Sequence, residues 1–449
     1  MAVVTRFAPS PTGQLHIGSA RIALLNFLFA KSRFGRCILR IDDSDKERSK
    51  DEYTNAIISD LHWLGLDFDS TFKQSSIDRI ARYESAKNYL ISIGRLYPCF
   101  ETEEELSAKR NIAIANNKPF IYDRSALQLT QDTISKYHKT GVSPHYRFMI
   151  DHEPIAWHDM IKGEIHYHGS HISDPVVVKQ DGTMTYLLAS VIDDIDYNIT
   201  HIIRGEDHVT NTATQQQMFD AMGHTSPIFG HIGLMKAKNG KISKRIGGYE
   251  ISSLAASVHP MAVCSFLTLL GSSKPMMPHL TPEALLQQFD IGSYSRNSSY
   301  YEYEEISAMN DALEIRLPFP EIAEMCAARY NIKLTKQFWE IAKSNISKIE
   351  DIKTLWNASF HLNPILCEDP NFIVLGSTII DTFLRSELSL DKWIHDIMIK
   401  CNIAKKVVLR HLRLAITGLT HGPEMRLLIP MIGQDMVLSR LQYYFGTEA

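Results

Sequence analysis

The hydrophobic positions change period along the chain, and each change marks an element. Val3-Val4-Thr5 is a β-branched run that favours an extended backbone. Pro9, Pro11 and Gly13 then break regular structure. From Ser19 onward Ile22, Leu25, Leu28 and Phe29 recur at helical spacing, so the stretch predicts strand, tight loop and helix. Cys37 to Ile41 reads as a buried strand that ends in Asp42-Asp43-Ser44-Asp45. Helices are predicted over 50–64, where Ile57, Leu61 and Leu64 share one side, and over 77–93. Strands alternating with helices imply a parallel sheet in a doubly wound half-domain.

Near Leu96 the pattern shifts. Residues 101–182 read as an insertion: a helical portion opened by Glu101, Glu103, Glu104 and Glu105, then alternating strands such as His145–Ile150 and Ile165–His168. The run Thr185 to Ser190 is apolar without a clear period and suits either a strand or the start of a helix. Thr200 to Ile203 is a strand ended by Arg204-Gly205-Glu206-Asp207-His208, and a helix follows over 211–222. After Ile251 helical stripes dominate and no convincing strand alternation remains. The predicted fold class is therefore α/β: a doubly wound, Rossmann-like parallel-sheet domain with an inserted α+β domain, followed by all-α C-terminal domains. The boundaries fall at 1–100 and 183–250 for the two halves of the sheet domain, 101–182 for the insertion, 251–320 for a helical connector and 321–449 for a helical tail.

Composition adds little to this pattern. A chain of 449 residues with 44% hydrophobic and 22% charged residues can bury several cores. A net charge of −4 gives no global field for nucleic acid, so such a surface has to be a local patch. From Cys401 to the C-terminus six basic residues face three acidic ones, and Arg410, Arg413 and Arg426 are candidates for contact with an RNA backbone. The six cysteines form no CxxC pair, which fits buried thiols of a reducing compartment. The apolar start is cut by Thr5, Arg6 and two prolines, and no apolar run nears a membrane span, so a cytoplasmic location is expected.

Candidate chemistry concentrates where strands stop. His16 and Gly18 sit at the start of the first helix, where free backbone N–H groups and the positive dipole end suit a phosphate. His16 adds a donor that can follow charge onto a phosphate in a transition state. Asp42 lies at the carboxyl end of a strand, where open α/β sheets place ligand contacts; Asp43 and Asp45 are equally read as caps of the next helix. Far downstream, Asn239-Gly240 leads into KISKR, with Lys241, Ser243 and Lys244 in a basic loop 225 residues beyond His16. His152, His158, His166, His168 and His171 fall in the insertion, but with no cysteine partners no structural metal is expected there.

These segments resemble the paired HIGH and KMSKS signatures of class I aminoacyl-tRNA synthetases. Together with LRIDDSD, VIDDIDYNITHIIRGEDH and the terminal LAITGLTHGPEMRLLIPMIGQDMVLSRL, they make nearly the whole chain similar to the bacterial glutamyl-tRNA synthetase family. The resemblance implies ATP-dependent formation of glutamyl-adenylate, then transfer to the terminal adenosine of tRNA(Glu), of tRNA(Gln), or of both. It implies L-glutamate, ATP with Mg2+ and tRNA as ligands, no membrane, and a monomer. It puts His16 and Lys244 in catalysis. The ATP positions are Pro11, Gly13, His16, Gly18, Ser19, Asp207, His208, Lys241, Ser243 and Lys244. For glutamate it puts Arg6 and Tyr186 on the side-chain carboxylate, Arg204 nearer the α-carboxylate, Asp42 and Ser10 at the ammonium, and Ser190 beside them.

The chain departs from the family at several points. Asp42 is a methylene shorter than the glutamate of many relatives, and Ser19 replaces the last histidine of HIGH. Of the cysteine cluster that holds zinc in some members only Cys99 remains, so no zinc is expected. Two other functions fit the chain less well. Shortened paralogues that glutamylate a modified base, and small nucleotidyltransferases, lack the roughly 200 residues found here after KISKR. A non-catalytic scaffold predicts loss of active-site groups, yet Arg6, His16, Arg204 and Lys244 are all present.

Overall fold

The computed structural model describes residues 2–45, 47–238, 250–361, 365–386 and 389–446. The chain divides into two compact units, residues 1–309 and 310–449.

In the first unit, β1 (Val4–Phe7), α1 (Ile17–Lys31), β2 (Arg36–Ile41), α2 (Asp51–Trp63), β3 (Ser70–Lys73) and α3 (Ile77–Ser92) build a parallel sheet of order β1-β2-β3 with helical crossovers. Strand β3 escapes the sequence pattern because Ser70-Thr71-Phe72-Lys73 is a half-exposed edge with no alternation. Helix α1 is buried nearly all round. Its Asn26 is the seam of the fold: the side-chain amide donates to Ile203 O at 2.7 Å and accepts from Ile203 N at 3.2 Å, while its carbonyl accepts from the Thr5 hydroxyl.

The insertion continues with β4 (Leu96–Cys99), α4 (Glu103–Ala115), α5 (Gln131–Lys139), β5 (His145–Phe148), β6 (Pro154–Asp159), β7 (Gly163–His168) and β8 (Val176–Val178). The order β4-β5-β8 is antiparallel, so this sheet begins upstream of Glu101. A capping box between Thr102 and Glu105 starts α4. Hairpin β6–β7 turns at Met160–Lys162, where Asp159 accepts from the N–H groups of Ile161 and Lys162.

Residues 186–196 form a helix, α6 (Tyr186–Asp196), which settles the ambiguous apolar run at Thr185. Every residue from Leu187 to Asp194 is buried, and the six residues read as ambiguous are too few for their period to separate strand from helix. Then come β9 (His201–Gly205), α7 (Val209–Ala221) and β10 (Ile228–Ile232), with β9 and β10 parallel. The two parallel sheets meet along β1 and β9: Thr200 N donates to Val4 O, and Val4 N to Thr200 Oγ1. Strand β11 (Met235–Ala237) precedes α8 (Ile251–Ala255), α9 (Pro260–Leu269) and α10 (Pro282–Gln288). The expectation of no strand after Ile251 is corrected by β12 (Ser299–Tyr301), which pairs parallel with β11 and is too short to show alternation. Buried Arg21 of α1 donates to the carbonyls of Gly233, Leu267 and Leu270, tying α1 to the end of α9.

Helix α11 (Tyr303–Glu314) follows β12 in the chain. The second unit holds α12 (Phe319–Tyr330), α13 (Lys336–Ala342), α14 (Asp351–Phe360), α15 (Pro370–Ile373), α16 (Gly376–Leu384), α17 (Leu390–Cys401), α18 (Lys405–Thr417), α19 (Met425–Ile432) and α20 (Gln434–Tyr444). These helices share one apolar core around Phe338, Phe383, Trp393 and Leu441.

Candidate active site

The carboxyl ends of β1, β2 and β9, the loop before α1, and the first turn of α6 line a cleft of about 450 Å³. It brings together Arg6, Ser10, His16, Gly18, Ser19, Asp42, Tyr186, Ser190, Arg204, Asp207 and His208. Pro11 and Gly13 lie outside its lining; Pro11 instead borders a smaller recess with Asp43 and Lys50. Lys241, Ser243 and Lys244 lie outside the described residues. Glu250, where the description resumes, pairs its backbone antiparallel with His16.

His16 caps α1. Its Nδ1 accepts from Gly18 N at 3.1 Å, so the neutral ring carries its proton on Nε2. Burial lowers its pKa, with Glu250 opposing, which keeps the ring neutral at neutral pH. A Cβ on Gly18 would lie 3.3 Å from that same Nδ1, so a larger residue crowds the cap.

The two arginines are held in opposite ways. Arg6 Nε donates to Asp194 at 3.3 Å, and Asp194 also takes Arg40 at 2.8 Å. Arg40 spans from Asp194 to Asp42, donating to both Asp42 oxygens at 2.7 and 3.3 Å. Burial pushes the Asp42 carboxyl up to about 6, against the pull of Arg40. Neighbouring Asp193 is saturated by Gln74, Arg79 and Tyr83. Arg204 by contrast meets only neutral acceptors: His231 Nε2 at 3.2 Å, Thr212 Oγ1 at 2.5 Å and His208 O at 3.5 Å. Among the described residues no carboxylate oxygen comes within 4 Å of it. Burial, and then the Arg6 charge, bring its pKa down from 12.5 to about 9. A buried cation left without a counter-ion, facing a cleft, is an anion site.

The rest of the lining is polar and oriented. The Tyr186 hydroxyl accepts from Asn211 Nδ2, which leaves its proton for an acceptor in the cleft. Buried Ser190 Oγ accepts from Gln215 at 2.9 Å and donates to Leu187 O at 3.4 Å. Asp207 and His208 stand 3.8 Å apart, and burial and the Arg204 charge lower the His208 pKa. Neither Asp43 nor Asp45 caps α2: Asp43 holds Ser75 N and Oγ, and Asp45 holds Arg48.

The family profile described as tRNA synthetases class I (E and Q), catalytic domain, matches residues 2–308, and an anticodon binding domain profile matches residues 384–445. Glutamate–tRNA ligase 1 of Orientia tsutsugamushi (strain Ikeda) is 45% identical over 99% of this chain and 100% of its own length. Glutamate–tRNA ligase 1 of Rickettsia akari (strain Hartford) is 44% identical over 98% and 99%. The chain belongs to the glutamate–tRNA ligase family of class I tRNA synthetases. A crystal structure of a glutamate–tRNA ligase from Elizabethkingia meningosepticum, solved with its amino acid, superposes with a TM-score of 0.82 at 25% identity and full coverage of both chains.

Some members of this family hold zinc in the insertion. The sequence leaves Cys99 isolated, but the β4–β5 register sets it opposite His145, and with Glu101 their ligand atoms lie within 4.8 Å of one another. His145 Nε2 and Glu101 Oε2 are buried without a hydrogen-bond partner. The other Glu101 oxygen already takes Tyr122, Ser125 and, at 3.5 Å, the Lys109 ammonium, and burial pushes the Cys99 thiol up to about 12. Three mixed donors beside an ammonium fall short of a four-ligand zinc site, and none is assigned.

Sequence reasoning missed Arg40, Asp159, Thr212, Asp194 and His231 as site supports. The acids of VIDDID carried the one available signal: carboxylates inside an apolar helical run need cationic partners. In the basic tail, Arg440 is buried and donates to the carbonyls of Ala358 and Ser359, Arg413 donates to Pro423 O, and Arg426 pairs with Asp391. Lys405, Lys406 and Arg410 remain on an exposed face.

Proposed function

We propose that the cleft activates glutamate with ATP and passes it to tRNA. The observation that carries this reading is the meeting, in one cleft, of two buried guanidiniums with the His16-capped N-terminus of α1. Glutamate brings two carboxylates and one ammonium. Arg6 with Tyr186 suits the side-chain carboxylate, Arg204 the α-carboxylate, and Asp42 with Ser10 the ammonium; Ser190 shapes the wall beside them. A dianion also relieves the repulsion between Arg6 and Arg204.

An α-carboxylate oxygen attacks the α-phosphorus of ATP, and pyrophosphate leaves. A ribose hydroxyl of the terminal adenosine then attacks the acyl carbon, loses its proton, and displaces AMP. Positioning and charge stabilisation carry both steps. The first-turn N–H of α1 at Ser19 and the Nε2–H of His16 face the phosphates, and Gly18, whose own N–H is taken by His16 Nδ1, leaves room for their approach; Pro11 and Gly13 shape the loop; Asp207 and His208 lie by the nucleotide. Lys244, with Lys241 and Ser243, is assigned to the phosphates on the family signature alone. Mg2+ enters as the triphosphate's counter-ion: among the described residues the cleft holds no three-ligand cluster of its own.

Residues 1–100 and 183–250 form the catalytic halves, with β4 at the end of the first half lending an edge strand to the inserted sheet; 101–182 meet the acceptor stem, 251–320 connect, and 321–449 read the anticodon. No described helix is long and apolar enough to cross a membrane, and the enzyme is proposed to act as a cytoplasmic monomer. The test is transfer of labelled glutamate to tRNA(Glu) and tRNA(Gln) transcripts, assayed separately. Charging of at least one supports the reading and assigns the acceptor; transfer to neither rejects it.

A further inference from the structure

Arg204 is backed by two groups that do not touch the cleft. Asp159 ends β6 in the inserted hairpin, His231 lies in β10, and both side chains are fully buried. Asp159 Oδ1 accepts from three backbone N–H groups, those of Ile161, Lys162 and His231, at 3.0, 2.9 and 3.1 Å. That fixes the carboxylate, and Oδ2 meets His231 Nδ1 at 2.5 Å. Burial raises the Asp159 pKa, but these hydrogen bonds outweigh it and hold the group ionised. An ionised oxygen only accepts, so the ring proton sits on Nδ1 and Nε2 presents a lone pair. Arg204 Nε donates to that lone pair, and Thr212 Oγ1 lies 2.8 Å from it.

We propose that Asp159 and His231 are positioning residues for glutamate binding: Asp159 fixes the Nδ1–H tautomer of His231, and the resulting neutral acceptor aims Arg204 into the cleft without spending its charge. A carboxylate in the place of His231 would hold the arginine equally well and neutralise it, as Asp194 does for Arg6. The inference rests on the reading of Arg204 as a glutamate anchor.

Asp159→Asn keeps an oxygen for the three backbone donors but turns an NH2 toward Nδ1. The ring then has to accept there and carry its proton on Nε2, donor against donor with Arg204. The expected result is a glutamate KM raised roughly ten- to hundredfold, the loss of one well-placed charged hydrogen bond, with ATP KM within about twofold. His231→Gln, whose amide oxygen can reach the Nε2 position, should recover most of the loss seen in His231→Leu. Nitrogen-15 NMR of histidine-labelled wild-type enzyme should show a buried ring protonated at Nδ1. That signal should be absent in His231→Gln.

An Nε2–H tautomer in the wild type overturns the proposal even if every variant fails to fold. So does an equal rise in the KM values for glutamate and ATP, or an unchanged glutamate KM in folded variants. Arg204→Gln separates the two levels. If it leaves glutamate KM unchanged, the anchor reading itself fails; if it raises KM while Asp159→Asn does not, only the positioning role fails.

Discussion

Replacing Arg204 by glutamine should weaken glutamate binding without weakening the fold. A guanidinium whose pKa falls from 12.5 to about 9 carries its charge at neutral pH at a cost on the order of 4–5 kcal/mol. That cost is present in full below about pH 9 and disappears as the pH rises past 12.5. Removing the charge lifts it. The acceptors left behind are not orphaned, because Thr212 Oγ1 already lies 2.8 Å from His231 Nε2 and can donate to it. Lost contacts offset part of the gain, so the melting temperature should stay within about 2 °C of wild type or rise. If Arg204 anchors the α-carboxylate, the substrate loses the two donors of Nη1, the nitrogen not engaged by His231, Thr212 or His208, about 3–4 kcal/mol from charge-assisted hydrogen bonds of roughly 1.5–3 kcal/mol each. Glutamate KM should therefore rise roughly 10²–10³-fold, with ATP KM little changed. Steady-state charging kinetics and calorimetric melting read the two effects. A fall in Tm of more than about 5 °C with an unchanged glutamate KM would make Arg204 a structural arginine and refute the argument.

Four further outcomes follow from the same geometry. Because burial raises the Asp42 carboxyl to about 6, glutamate KM should climb as the pH falls through that value, and Asp42→Asn should abolish the climb in a pH series of initial rates. His16→Ala should lower kcat roughly 10²–10³-fold, the loss of one phosphate donor, with a smaller change in ATP KM. Asp194→Asn leaves Arg6 and Arg40 short of a shared buried carboxylate and should cost about 3–5 kcal/mol in urea unfolding. Purified enzyme should carry well under one zinc per chain by plasma mass spectrometry, and EDTA should leave its melting curve in place; stoichiometric zinc would reverse the assignment at Cys99, Glu101 and His145.

The parts of the fold written in local pattern were legible. The β-branched start, the prolines and the helical stripe from Ile22 placed His16 at a helix N-terminus, and that is where it caps α1. Charged residues at strand ends pointed to Asp42 and Arg204, and both line the cleft. What the sequence could not carry was pairing across distance. Asp159 and His231 are 72 residues apart, and Arg40 and Asp194 are 154 apart; nothing local in either pair announces the other. The register of β4 on β5 is equally non-local, so Cys99 looked isolated until His145 came opposite it. The start of α6 stayed ambiguous because Thr185 to Ser190 is too short an apolar run for its period to separate strand from helix.

The central claim is that one cleft holds glutamate by Arg6 and Arg204 and its activated phosphate by the His16-capped end of α1. A crystal structure of the enzyme with a non-hydrolysable glutamyl-adenylate analogue tests it most directly. The side-chain carboxylate should lie within hydrogen-bond reach of Arg6 and Tyr186, the acyl end beside Arg204, and the phosphate mimic against His16 and the first turn of α1. An analogue bound elsewhere, or one whose glutamyl portion points away from both arginines, would contradict the account.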